Sequence, residues 1–297
     1  MKAGFVALVG RPNAGKSTLL NRLVGQKIAI VSDKPQTTRH RILGVRNANG
    51  AQMVFIDTPG IHKPMHRMNQ RMVDIAIAAL RDVDVVVLVV DATMRPGSGD
   101  RFVLEALQRE RTTAILALNK VDVIEKPRLL PLIEQYAGRA AFAAIVPISA
   151  RTGDGVDRLE REILTSLPEG EALYPDEYLT DQTQRALAAE LIREQVLAHT
   201  REELPFTTAV VVDQFEDASA ERPITRIFAS VLVDRESQKP IVVGKGGEMI
   251  KRIGTEARRE LEEMLGGRVY LDLHVKVRAD WRDDERLLDE LGLRARQ

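Results

Sequence analysis

The chemistry of the chain is concentrated in the octapeptide Gly10-Arg11-Pro12-Asn13-Ala14-Gly15-Lys16-Ser17, spaced GxxxxGKS. An apolar run at 5–9 precedes it, and Thr18-Leu19-Leu20-Asn21-Arg22-Leu23 follows. That order is strand, glycine loop, helix, the plan of a phosphate-binding loop. Glycines at both ends let successive backbone N–H groups curl inward onto phosphate oxygens, and the new helix adds its positive end. Lys16 is expected on the β- and γ-phosphates, and Ser17 on Mg2+.

Three more segments carry compatible chemistry. Asp57-Thr58-Pro59-Gly60 follows the apolar run at 52–56. A carboxylate there holds Mg2+ through water, and the Gly60 N–H faces a γ-phosphate. Asn119-Lys120-Val121-Asp122 follows the run at 113–118. An Asp carboxylate accepts two hydrogen bonds from the N1–H and N2–H2 edge of guanine. Adenine leaves it unpaired, so this tetrapeptide selects GTP over ATP. Asn119 supports the loop, and the Lys120 stem can lie over the purine. Ser149-Ala150 closes the run at 144–148 and can offer a backbone N–H to guanine O6. The polar stretch 33–41, with Pro35, suits a loop that delivers a hydroxyl to Mg2+. Thr37 and Thr38 are the candidates, with Thr38 preferred.

These segments need a scaffold that brings strand ends together. Apolar runs at 5–9, 52–56, 83–90, 113–118 and 144–148 alternate with helix-length segments. This predicts an α/β domain over 1–168, a mostly parallel sheet with helices on both faces, its ligand at the carboxyl ends of the strands. A linker is expected at 169–181, a smaller α+β domain at 182–281, and a helical tail at 282–297 anchored by Trp281. In the second domain a helix is expected over 184–204 and strands over 207–215 and 224–235. The segment Gly244-Lys245-Gly246-Gly247, a helix over 248–265 and a closing strand over 269–277 complete it. This is one KH topology, in which a GxxG loop clamps the backbone of about four nucleotides. Lys245, Lys251, Arg252 and Arg258 are the candidate RNA contacts. Residues 239–259 hold six Lys or Arg against two Glu, although the chain from 181 onward counts 19 basic against 23 acidic residues. The basic signal is therefore local.

Composition bounds the rest. The chain has 297 residues, 44% hydrophobic and 29% charged, with zero formal net charge and no cysteine. This fits two globular domains and excludes disulfides, thiolate catalysis and Cys-ligated zinc. No apolar run is long enough to span a bilayer, and the N-terminus lacks the plan of a signal peptide.

The first half resembles the G domains of the translation-factor-related small GTPases. Members with an Asn in the place of Asn13 use K+ to activate hydrolysis. Many regulatory GTPases carry a water-orienting Gln just after DxxG, where this chain has Ile61. The resemblance is to the subgroup with a hydrophobic residue there, so water must be positioned in another way. Over the whole chain, GRPNAGKSTLLN, PQTTRHRI, DTPGIHKP, NKVD, PISA and IVVGKGGEMIKRIGTEAR resemble the bacterial Era family. The resemblance implies GTP/GDP, Mg2+ and K+ as ligands, with Lys16, Thr38, Gly60 and Asn13 serving hydrolysis. It implies binding of 16S ribosomal RNA near its 3′ end and a role in assembling the small ribosomal subunit. It also implies a cytoplasmic monomer with loose association to the inner membrane and no DNA partner. The competing reading is a signalling switch whose C-terminal domain binds a protein or a membrane.

Overall fold

The computed structural model describes residues 1–48, 50–61, 66–110 and 112–293, without the side chains of 98, 109 and 110. His62, Lys63 and Pro64 of the DTPGIHKP motif, and the tail residues 294–297, lie outside the described residues. Among the described residues the chain forms two compact units, one of 1–29, 36–181 and 293, the other of 30–35 and 182–292.

The first unit runs β1 (Lys2–Val9), α1 (Lys16–Val24), β2 (Ile42–Ala48), β3 (Ala51–Asp57), α2 (Arg67–Ala78), β4 (Val85–Asp91), α3 (Ser98–Glu110), β5 (Thr113–Asn119), α4 (Leu129–Ala137), β6 (Ala144–Pro147) and α5 (Val156–Ser166). Its sheet has the order β2-β3-β1-β4-β5-β6, parallel except for β2, which runs antiparallel to β3. Both faces are covered, so β1 is apolar on both. Val6 and Leu8 pack with Leu19 and Leu20 of α1 and Ile163 of α5, while Ala7 and Val9 pack with Ala76 of α2 and Val103 of α3.

β2 is absent from the sequence reading, because Ile42–Ala48 is short and partly polar. Residues 169–181, expected as a linker, cluster with this unit and cover its β2 edge. Val45 N–H donates to the Leu179 carbonyl at 2.8 Å, Thr180 Oγ1 to the Leu43 carbonyl at 2.6 Å, and Leu43 N–H to Asp181 Oδ1 at 3.1 Å. The fully buried Gln52 accepts from the N–H groups of Leu173 and Tyr174 and donates to the Tyr174 carbonyl. Pairing the edge in this way removes the open ladder of an edge strand.

The second unit runs α6 (Gln184–His199), α7 (Leu204–Thr207), β7 (Ala209–Glu216), β8 (Thr225–Val233), α8 (Lys239–Val243), α9 (Glu248–Leu265), β9 (Val269–Val277) and α10 (Glu285–Glu290). In its sheet, β8 pairs antiparallel with β7 and parallel with β9. α6 and α9 cover one face, where Ile192 and Val196 meet Ile253, Ala257, Ile227 and Val231. The expected helix over 184–204 stops at His199. Thr200 leaves the helix in extended backbone (φ −113°, ψ 158°), and a separate short α7 begins at Leu204 with Pro205 in its first turn, where the missing N–H costs no helical hydrogen bond. Trp281, expected to anchor the tail, is fully buried in this unit and donates its indole N–H to the Thr207 carbonyl at 2.8 Å, and Arg282 pairs with Asp234 at 2.9 Å. Among the described residues no helix is long and apolar enough to cross a membrane.

Candidate nucleotide and RNA sites

The sheet order reverses at β1, whose neighbours are β3 and β4. Loops leaving the carboxyl ends of such strands diverge to opposite faces and open a crevice. The glycine loop follows β1, Asp57 ends β3, Asp91 ends β4 and Asn119 ends β5. Gly15 has φ +96°, and a Cβ there would lie 2.2 Å from Asn119 Nδ2, so only glycine fits. Asn13 sits in the left-handed region at φ +61°, which Asn tolerates better than most residues. Half-buried Arg11 is held at 3.3 Å by Asp100 of α3, Pro12 packs under Gly60, and Thr18 lies half-buried on α1.

Lys16 is buried, its ammonium 3.0 Å from the Arg11 carbonyl. Ser17 Oγ lies 2.7 Å from both Thr38 Oγ1 and Asp57 Oδ2, and Thr38 Oγ1 lies 3.2 Å from the same Asp57 oxygen. Of the two candidate threonines, Thr38 is thus the one brought to this cluster. Burial lowers the Lys16 pKa against the pull of Asp57, and burial raises that of Asp57 against Lys16, Ser17, Thr38 and the Thr58 N–H. Asp57 Oδ1 is buried with no hydrogen-bond partner among the described residues. Three converging hard oxygens with one unsatisfied carboxylate oxygen suit a small divalent cation. Thr58 has a structural place, donating its hydroxyl to the Leu8 carbonyl at 2.8 Å. Ile61 is buried in the core beside Ala7 and Val9, and its N–H donates to the Gly10 carbonyl at 3.2 Å.

At the far end of the crevice, Asn119 ties two loops together. Its Nδ2 donates to the Ala14 carbonyl at 2.7 Å, and its Oδ1 accepts from the Ala150 N–H at 2.9 Å. The Ser149 N–H donates to the Asp154 carbonyl at 2.8 Å. The N–H groups of Ser149 and Ala150, one of which was expected to meet guanine O6, are thus both already paired. Val121 N–H donates to the Ile148 carbonyl, fixing the turn. Hydrogen bonding from Ser149, and then from Arg151, holds Asp122 below the usual carboxylate pKa against burial, so it is an anion at neutral pH.

Sequence reasoning missed three supports. Asp91 Oδ2 accepts from Lys120 Nζ at 2.6 Å. Arg22 of α1 donates to the carbonyls of Ala150 and Arg151. Asp100 holds Arg11. Asp91 carried a signal, a carboxylate at a strand end like Asp57. Arg22 and Asp100 carried none.

In the second unit, Gly244 has φ +76°, and a Cβ there would lie 2.6 Å from the Met249 Cβ. Gly246 and Gly247 also have positive φ, +60° and +82°, but nothing lies within 4 Å of a Cβ built on either. The loop therefore leaves bare backbone on its outer side. Lys245, Lys251, Arg252 and Arg258 are all exposed, and Arg252 is 3.4 Å from Glu256. Residues 241–243 lie in the short helix α8, so two helices flank the loop.

The fold and the two sites define a phosphate-loop GTPase unit joined to a KH-type unit. Residues 5–120 match the family described as 50S ribosome-binding GTPase, and residues 203–282 match the KH domain. GTPase Era of Geobacter metallireducens is 50% identical over 291 residues, covering 98% of this chain and 97% of that protein. GTPase Era of Syntrophus aciditrophicus is 47% identical, covering 98% and 95%. The crystal structure of Era in complex with MgGDPNP and nucleotides 1506–1542 of 16S ribosomal RNA superimposes with TM-score 0.95 at 42% identity, covering 99% of both chains. A point variant of Aquifex aeolicus Era bound to GDP.AlF4- gives the same TM-score, identity and coverage. The chain belongs to the bacterial Era family of GTPases: it binds guanine nucleotides and hydrolyses GTP.

Proposed function

We propose that this GTPase binds small-subunit (16S) ribosomal RNA near its 3′ end through its KH unit and acts as a GTP-gated switch in small-subunit assembly. The observation that carries this reading is the bare outer backbone at Gly246 and Gly247, opening directly into the exposed Lys251, Arg252 and Arg258. Phosphates can approach such backbone closely, and the basic helix supplies charge. The RNA held by the similar structure described above supports the choice of partner.

In the GTPase unit, Lys16 would meet the β- and γ-phosphates and the Gly60 N–H the γ-phosphate. Asp122 would read the guanine edge. Ser17 and Thr38 would ligate Mg2+ directly and Asp57 through water. When bound, the ion neutralises charge on the β- and γ-phosphates. Asn13 would help to hold K+. The buried, apolar Ile61 cannot orient water by a hydrogen bond, so that task falls to other groups.

Ultraviolet crosslinking of RNA to the full chain in its GTP-bound form tests the assignment. A 16S rRNA fragment attached to a peptide within 239–259 is the expected result. Crosslinks confined to other peptides would rule out the loop as the RNA contact.

A further inference from the structure

Asp91 lies outside the nucleotide motifs, yet it sits at the carboxyl end of β4 in register with Asn119 on β5. The Ala92 N–H donates to the Asn119 carbonyl at 2.9 Å, so the two strand ends are locked side by side. The Asp91 carboxylate is fixed on both oxygens. Oδ1 accepts from the Thr93 N–H at 2.9 Å and from Thr93 Oγ1 at 2.6 Å, and Oδ2 accepts from Lys120 Nζ at 2.6 Å. Burial alone would raise its pKa, but the Lys120 and Thr93 hydrogen bonds outweigh burial and hold it low. Lys120 has left-handed backbone, φ +69°, unusual for a lysine. Its ammonium is thus held at one end by Asp91 while its Cα is held in a turn at the other.

We propose that Asp91 is a positioning residue for guanine-nucleotide binding, holding Lys120 extended so that its stem forms one wall of the base pocket before the nucleotide arrives. This rests on the assignment of residues 119–122 to guanine. A lysine carries four rotatable side-chain bonds, and ordering them on binding costs affinity. An ion pair that orders them in advance returns that cost as tighter binding. The geometry gives Asp91 no part in γ-phosphate chemistry, so its effect belongs on affinity and not on turnover.

The test measures GDP and GTP affinity by fluorescent-nucleotide titration and steady-state hydrolysis, for the full chain and for Asp91→Asn, Lys120→Ala and the double variant. Asn at 91 keeps the shape and removes the charge. The expected result is about tenfold weaker GDP and GTP binding for Asp91→Asn, equivalent to 1.4 kcal/mol. KM should rise, kcat at saturation should stay unchanged, and no further loss should appear when Lys120 is already Ala. Should Asp91→Asn not fold, Thr93→Ala removes the hydroxyl contact to Asp91 Oδ1 while leaving the Thr93 N–H contact and the ion pair, and about threefold weaker binding is expected. Two outcomes overturn the positioning role: unchanged affinity, or an equal loss in the Lys120→Ala background, which would mean that Asp91 acts through general structure. If Lys120→Ala itself leaves affinity unchanged, the Lys120 stem is no wall of the base pocket and the proposal fails, whereas the assignment of 119–122 to guanine falls only if Asp122→Asn leaves nucleotide selectivity unchanged.

Discussion

Asn119 Nδ2 donates to the carbonyl of Ala14 at 2.7 Å, fastening the glycine loop to the end of β5. The loop that would cradle phosphate and the loop that would read the base are therefore one rigid piece, because the same side chain also accepts from the Ala150 N–H. Asn119→Ala leaves a buried carbonyl and a buried N–H without partners, at about 1–3 kcal/mol each. A lower melting temperature together with nucleotide affinity weakened at least tenfold, about 1.4 kcal/mol, is expected. Equal GDP affinity in wild type and variant, by isothermal titration, would count against this coupling.

Asp122→Asn should move preference from GTP toward XTP. Xanthine carries a carbonyl at C2 where guanine carries an amino donor, so the Asn amide can donate where the carboxylate accepted. The change in relative affinity should be about 3 kcal/mol, as for the loss of a charge-assisted pair. A competition assay with both nucleotides reads it directly, and unchanged selectivity would remove the assignment.

Ile61→Ala should harm stability more than chemistry. The side chain is 3% exposed and packed in the core between β1 and the helices on its face. Truncation should cost about 2–5 kcal/mol of unfolding free energy by chemical denaturation. Well below the melting point, kcat should change less than threefold, about 0.7 kcal/mol. A loss of several hundredfold in kcat would assign Ile61 a direct role in hydrolysis.

Hydrolysis should be faster in K+ than in Na+ if Asn13 helps to hold that ion, and Asn13→Ala should erase the difference. Lys16→Ala should impair both nucleotide binding and hydrolysis. Equal rates in the two salts would discard the role given to Asn13 and leave the GTPase itself untouched.

RNA binding should weaken at least tenfold, about 1.4 kcal/mol, in the full chain carrying Lys245→Asp and Lys251→Asp. Both residues are exposed, and carboxylates would replace cations beside phosphates. Gly246 is a poor position for such a test. At φ +60° any other side chain strains the backbone, by about 1 kcal/mol, so lost binding there would mix strain with charge. Fluorescence anisotropy with a 3′-end 16S rRNA fragment at two salt concentrations measures the change. RNA-free GTP hydrolysis should be unaltered.

Trp281→Phe should cost about 1–3 kcal/mol, because the buried Thr207 carbonyl loses its indole donor. Thermal unfolding of the variant checks this, and RNA affinity measured below the transition should be retained.

The three segments that the fold gathers at the carboxyl ends of β1, β3 and β5 were legible because each is contiguous in the chain. Residues 10–17, 57–60 and 119–122 are each short runs whose spacing is itself the chemistry. The GxxG loop and the one-faced strand pattern at 269–277 were legible for the same local reason. Other features depended on partners distant in the chain. Asp91 and Lys120 stand 29 residues apart, and Arg22 and Ala150 stand 128 apart. Only the strand order that places β4 beside β5 brings the first pair together. The choice of Thr38 over Thr37, the antiparallel β2, and the capture of residues 169–181 along its edge also waited for the fold. A side chain's direction, a strand's neighbour and a glycine's sign of φ are set by the surrounding packing and are not written in the residue itself.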